Sequence, residues 1–383
     1  METLYLLLLF PLVWPWIAKL IFKDTINWQE MGLNIVVVCL VVSAVFFIGR
    51  AGKISDTELW AGQITKKNVK TGSYVRSYQC MCVTMSCGKN CSTTVCQTCY
   101  EDRYTKNWWL NSTLGDIGIR SRDTTSKSVW NEADPPLYKK AYVGEPCSKY
   151  SAFDNYVAAV ENSLFNDQDH ITAYQEYEGL FPSYPKITNL YKVNRVIRSG
   201  IILSDTGIDS FQEDHKEMNE GIGNMLRSMG RDKQVNIIMA WVNTNDSNYR
   251  YGLESHWAGG KKNDVVIMMG ITEYPKVEWV DVMTFGGNIG NELLRTVLRD
   301  SLVQVGEVNP QKMLPIIEAT VRENYNRPEM SQFEYLKAEV QPGPWALGIA
   351  IFFAIFGSIG LTYLFHVHDV DFFGNRRRSG RGY

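Results

Sequence analysis

Three long apolar runs leave this chain few options. Leu4 to Phe22, LYLLLLFPLVWPWIAKLIF, carries one charge, Lys19; Leu33 to Gly49, LNIVVVCLVVSAVFFIG, and Trp345 to Phe365, WALGIAIFFAIFGSIGLTYLF, carry none. Each is close to the roughly 20 residues with which a helix crosses a hydrocarbon core. The expectation is two transmembrane helices (about 4–22 and 33–49) within residues 1–53, a third over 345–366, and one long polar region between them. The first run has the length of a signal peptide. Its flank Met1-Glu2-Thr3 has no basic residue, though, Pro11 and Pro15 interrupt it, and no small-residue cleavage site follows, so a retained, kinked helix is expected.

Lys and Arg beside the spans set the orientation. Arg376, Arg377, Arg378 and Arg381 mark residues 367–383 as a basic cytoplasmic tail that also attracts anionic lipid headgroups. Lys19 and Lys23 agree; Arg50 and Lys53 oppose and are outnumbered. Residues 54–343 are then expected outside the cytoplasm, in a periplasm or at the cell exterior. With 39 basic and 41 acidic side chains the net charge is −2, which leaves no electrostatic footprint for nucleic acid.

Six cysteines crowd into CMCVTMSCGKNCSTTVCQTC: Cys80, Cys82, Cys87, Cys91, Cys96 and Cys99, with Cys147 further on. In an oxidising space these seven read as a disulfide framework with one sulfur left over; Cys39 lies inside the second span. Four thiolates from Cys87, Cys91, Cys96 and Cys99 binding zinc is the competing reading, although only Cys96 and Cys99 have the C-x2-C spacing. Thr, Tyr and Trp with short alternations make the rest of 54–195 β-rich, with Trp108 and Trp109 expected as packing residues or, in the sharper reading, a ligand-binding aromatic pair. SAFDNYVAAVENSLF, residues 151–165, has helical spacing.

From about Val196 the pattern is regular. A helix capped by Asp209 or Ser210 runs to Gly230 as C-cap, with Phe211, His215, Met218, Ile222, Met225 and Leu226 on one stripe; His215 is expected to pack. QVNIIMAWV and DVVIMMGI read as strands buried on both faces, with the helix DSNYRYGLESHWAG between them. KVEWVDVMTF reads as a half-buried strand, and two amphipathic helices follow, the second opening on Asn309-Pro310. The fold class is an α/β sandwich, a mixed sheet with helices on both faces, over 196–326, followed by a linker over 327–344.

Within that order, YGLESHWAGGKKNDVVIMMG and KVEWVDVMTFGGNIGNELL resemble the TPM-domain family, whose members carry a helix, a tryptophan-glycine-lysine turn and a strongly apolar strand. The resemblance covers about residues 196–326. Where the family pattern has glycine-isoleucine-glycine after the tryptophan, this chain has Ala258-Gly259-Gly260 after Trp257, and the cysteine-rich region is an addition. The resemblance implies a membrane-anchored extracytoplasmic domain that is either an assembly factor for membrane complexes or an acid phosphatase. An ion or anion site would draw on Asp205, Asp209, Gly259, Gly260, Lys261, Lys262 and Asp264. The plainer reading is that the glycines stop a helix and Asn263-Asp264 make the turn. The turn runs from helix to strand, so it is not a P-loop.

No G-x-S-x-G or H-E-x-x-H occurs. The favoured function is an interaction or assembly module of the cell envelope, with membrane lipid and other envelope or membrane proteins as partners, a homo-oligomer left open, and no resident cofactor. The alternative is a metal-assisted phosphatase using a divalent cation such as calcium.

Overall fold

The computed structural model describes the chain apart from residues 1, 23–25, 89–90, 155–167, 202–207, 287–288, 330, 332–339 and 368–383, and only the backbone of residues 55–56, 86–88, 91–93, 152–154 and 168–171. In chain order the elements are α1 (Glu2–Phe22), α2 (Trp28–Ile54), β1 (Ser55–Gly88), β2 (Cys91–Ser112), β3 (Gly115–Thr124), α3 (Pro136–Lys140), β4 (Pro146–Asp154), α4 (Gln168–Glu176), β5 (Ile187–Thr188), β6 (Lys192–Val193), β7 (Val196–Ser199), α5 (Ile208–Asp232), β8 (Asn236–Val242), α6 (Tyr249–His256), β9 (Asp264–Gly270), β10 (Trp279–Thr284), α7 (Glu292–Val305), α8 (Pro310–Asn324) and α9 (Pro344–Val367). They fall into two compact units: residues 1–57, 152–166 and 329–383, and residues 58–151 and 167–328.

The first unit holds three helices long and apolar enough to span a membrane. Pro11 and Pro15 lie inside α1, and both are buried. Val38 and Val42 of α2 meet Ala350 and Ala354 of α9. Small residues permit close approach, since a Cβ on Gly49 would fall 2.3 Å from that of Ala346. Asn34 donates to Ser358 O at 3.0 Å and Thr362 Oγ1 at 3.1 Å, just beyond a π-helical turn at Phe353–Gly357.

The second unit contains two four-stranded sheets. One has the order β3-β2-β1-β4. Its centre is a hairpin whose pairing runs from Ile64↔Ser112 out to Gly88↔Cys91. Ile64, Trp108, Leu110 and Ile117 form the core on one face, with Tyr138 and Tyr191. Ser151–Asp154, expected to open a helix, belong to β4; the remainder of that segment lies outside the described residues.

The other sheet has the order β10-β9-β8-β7, with β7, β8 and β9 parallel and β10 antiparallel at the edge. All seven residues of β8 and of β9 are buried, which is why they read as unbroken apolar runs. Ile237, Met239 and Trp241 pack beneath α5, α7 and α8, while Ile238, Ala240 and Val242 pack against Tyr249 and Leu253 of α6. The steps β7 to β8 and β8 to β9 move the same way across the sheet, yet their helices lie on opposite faces. One crossover is therefore left-handed, as only about 2% are.

Two expectations are corrected. α5 does not end at Gly230 but continues to Asp232; a Cβ at Gly230 would lie 2.7 Å from Ala61 O, so this glycine serves close packing. β10 is fully buried rather than half-buried, because α7 and α8 cover one face and Arg250 and Arg295 ion-pair with Asp281 on the other, at 2.7 and 3.0 Å.

Candidate functional site

The glycine-lysine turn is built from three successive residues with positive φ, Ala258, Gly259 and Gly260 at 50°, 75° and 75°. They close α6 and reverse the chain into β9. The amides an anion would need are already donated inward: Ala258 to Ser255 O, Gly259 to Glu254 O, Gly260 to Trp257 O. Lys261 N–H donates to Asp264 Oδ2 at 2.7 Å.

Asp264 opens β9, is 1% exposed, and also accepts from Asn236 Nδ2 at 2.7 Å and Tyr184 OH at 2.8 Å. Burial raises its carboxyl to about 6 despite those donors. Asn236 passes the interaction on, accepting from the buried Arg195, whose other guanidinium nitrogen donates to Ser148 Oγ at 2.9 Å; burial lowers Arg195 to about 10. The result is a continuous relay, Ser148–Arg195–Asn236–Asp264–Tyr184, buried from Ser148 to Asp264 and half-buried at Tyr184. Its chemistry is positional: it ties the amino ends of β8 and β9 to the loop bearing Tyr184. Asn236, Arg195 and Tyr184 were not expected here, although a lone amide at the head of the apolar run NIIMAWV was a usable signal.

Asp209 sits in the first turn of α5, exposed, at the carboxyl end of the parallel strands. The structure thus places Asp209 and Asp264 at opposite ends of the sheet, and Asp205 lies outside the described residues. The carboxyl end has its own logic. The chain leaves β7 and β8 toward helices on opposite faces, the arrangement that opens a crevice between neighbouring parallel strands. A cleft of about 340 Å3 beside β7 is lined by Asn194, Ile197, Arg198, Gln212 and His215. His215 is a packed histidine: its Nε2 lies 2.9 Å from Val196 O, and burial lowers its pKa. Among the described residues, no group of three His, Cys, Asp or Glu side chains is placed to hold a metal ion.

The cysteines form a different kind of site. Cys80–Cys99 and Cys82–Cys96 are disulfides, with Cα atoms 5.8 and 4.0 Å apart. Cys96 and Cys99, half of the four-thiolate set, are therefore held in cystines; the side chains of Cys87 and Cys91 lie outside the described residues. Cys147 does not join the cluster. It is a buried thiol beside Ile64 and Tyr191, raised to about 11 by burial. Between Cys80↔Gln97 and Val83↔Val95 a bulge adds one residue to β1. Met81 there has φ 47° and is 77% exposed.

β3 accompanies β2 only as far as Tyr104↔Thr124, and nine-residue β4 starts beside Ile64, where Gly144 N–H donates to Ile64 O. Beyond them no further strand among the described residues flanks β1 and β2, which continue as a two-stranded ribbon from Tyr74↔Arg103 to Gly88↔Cys91, roughly 45 Å at 3.3 Å per residue. Met81, Val83, Met85, Val95, Tyr78 and Tyr100 are exposed on it. Between Ser77 and Tyr100 the one charged residue is Lys89.

Comparison with family models, with curated proteins and with solved structures found no match to this chain.

Proposed function

We propose that the protein is a membrane-anchored interaction module whose disulfide-stapled ribbon docks onto another envelope or membrane protein outside the cytoplasm. The ribbon carries this reading. A strand pair with open edges and, between Ser77 and Tyr100, a single charged residue is the geometry that proteins normally blunt with lysine, proline or a covering element, because it invites pairing with another chain. Here no strand among the described residues covers the edges, the cystines hold the pair together, and the Met81 bulge turns an apolar side chain outward. Lipid is the poorer partner for this element, since unpaired strand edges cannot be satisfied in hydrocarbon. The alternating backbone donors and acceptors suit addition of a partner strand. The TPM-like reading of residues 196–326 is compatible with this role as a scaffold.

A photo-crosslinking residue at Met81 or Val83 in intact membranes tests it. We expect one discrete adduct from the tip, lost on Val83→Asp and absent from the same probe at exposed Asp300 on α7. Adducts equally strong at all three positions, or none at the tip, would sink the reading.

A further inference from the structure

Trp108 and Trp109 part company in the folded sheet. Trp108 is buried and donates from Nε1 to Asp134 Oδ1 at 2.8 Å, whereas Trp109 is half-buried on the outer face. The register shifts between them from Trp108↔Arg120 to Trp109↔Gly118, a bulge with Ile119 as the extra residue. Opposite Trp109 there is no side chain, and a Cβ at Gly118 would meet nothing within 4 Å. A groove of about 470 Å3 results, lined by residues 107–109 and 118–121, Ile119 included, within the size range of small-molecule sites.

Its chemistry is narrow. Arg120 ion-pairs at 2.9 Å with Glu132, a carboxylate it shares with Arg122 at 3.1 Å. Asn107 Oδ1 accepts from Ser121 Oγ at 2.6 Å, which leaves its amide protons to donate elsewhere; among the described residues neither they nor the Trp109 indole N–H has an acceptor. On the neighbouring strand Asn68 pairs with Trp109, and its amide donates to Asn111. An indole ringed by neutral amides and a hydroxyl matches a ring with C–H groups on one face and hydroxyls at its rim. The electron-rich indole face attracts the C–H edges while the amides bond the hydroxyls.

We propose that this groove holds a pyranose sugar. A second observation points the same way. Asn111-Ser112-Thr113 is an N-x-T acceptor triplet for N-linked sugar, and Asn111 stands two residues from Trp109 on the same strand face, roughly 7 Å away. The ring therefore has two sources, a sugar attached at Asn111 or a separate saccharide. Attachment takes the sugar from a polyprenyl diphosphate carrier: the C1–O bond to the diphosphate breaks, C1 bonds to Asn111 Nδ2, and one amide proton leaves, with no change of oxidation state. The remaining N–H can keep its bond to Asp116 Oδ1. The attached source rests on the extracytoplasmic reading above; the free source does not.

The test uses the full chain purified from its own membranes. Peptide N-glycosidase treatment in heavy-oxygen water, followed by peptide mass mapping, shows whether Asn111 carries sugar; alkylation of the same digest with and without reductant reports on orientation separately. If Asn111 is modified, removing the sugar should lower the melting midpoint by roughly 2–4 °C in the native chain and not in Trp109→Ala; equal shifts in both would overturn the proposal. If Asn111 is unmodified, methyl glucoside, methyl mannoside and methyl N-acetylglucosaminide are tested by saturation-transfer NMR. Binding should weaken about tenfold in Trp109→Ala and in Gly118→Val, which fills the groove without strain, and survive in Trp109→Tyr. No binding by any of the three, or equal binding by Trp109→Ala, overturns it. Oxidised cysteines beside an unmodified Asn111 discard the attached source while leaving the orientation intact.

Discussion

Asp264 shows what a buried carboxylate does when every neighbour is a donor. Asn236, Tyr184 and the Lys261 amide all point hydrogens at it, so Asp264→Asn turns an amide NH2 against at least one of them. The expected loss is about 1–3 kcal/mol, measured by denaturant unfolding at neutral pH. The pH dependence has a definite sign. The folded carboxyl titrates near 6, above its ordinary 3.8, so the folded state holds the proton more tightly than the unfolded chain. Asp264's contribution is fully present below about pH 4 and is lost as pH rises through about 6. Melting curves should show a decline across that window which Asp264→Asn lacks. Gly230→Ala, with its Cβ forced against Ala61, should cost about 1–3 kcal/mol by overpacking. Neither role was legible beforehand: Asp264 looked like a turn residue or an ion ligand, and Gly230 like a cap. Each depends on a partner distant in sequence, Asn236 for one and Ala61 for the other.

The elements divide by how they are buried. The apolar runs of β8 and β9 could be read directly because both faces are covered, and the Asn309 cap of α8 because its signal is local: Asn309 Oδ1 accepts from Lys312 N–H at 3.1 Å. The hairpin was not legible as one element, since 34 residues of β1 mix core-facing, solvent-facing and tip segments without one period. β10 misled because the alternation of KVEWVDVMTF reads as a half-buried strand, whereas two arginines bury Asp281 within it. The cystines make a prediction at this scale. Replacing Cys80 and Cys99 by serine while the nested Cys82–Cys96 stays closed opens only the short loop between the two cystines, which in the chain-entropy account is worth about 2 kcal/mol against local opening. Amide exchange should quicken across Cys80–Cys99 while protection in β8 and β9 stays unchanged; loss of protection in β8 would show that the ribbon is part of the α/β core.

At the scale of the whole molecule, we propose from the three apolar helices and the disulfide-linked ribbon that the large polar region lies outside the cytoplasm. The spans were visible in the sequence as uncharged runs, and the cysteine cluster as a framework, but its connectivity needed the register of β1 on β2, bulge included. The expected ion site drew on Asp209 and Asp264 together, and the fold separates these two by the length of a sheet. The most direct test is cysteine mapping in intact cells. A membrane-impermeant maleimide is applied before and after an impermeant reductant, and the disulfide-linked peptides are then identified by mass spectrometry. We predict Cys80 linked to Cys99 and Cys82 to Cys96, unlabelled at first and labelled from outside once reduced. Free thiols that label only after the membrane is permeabilised would place the ribbon in the cytoplasm and contradict the account.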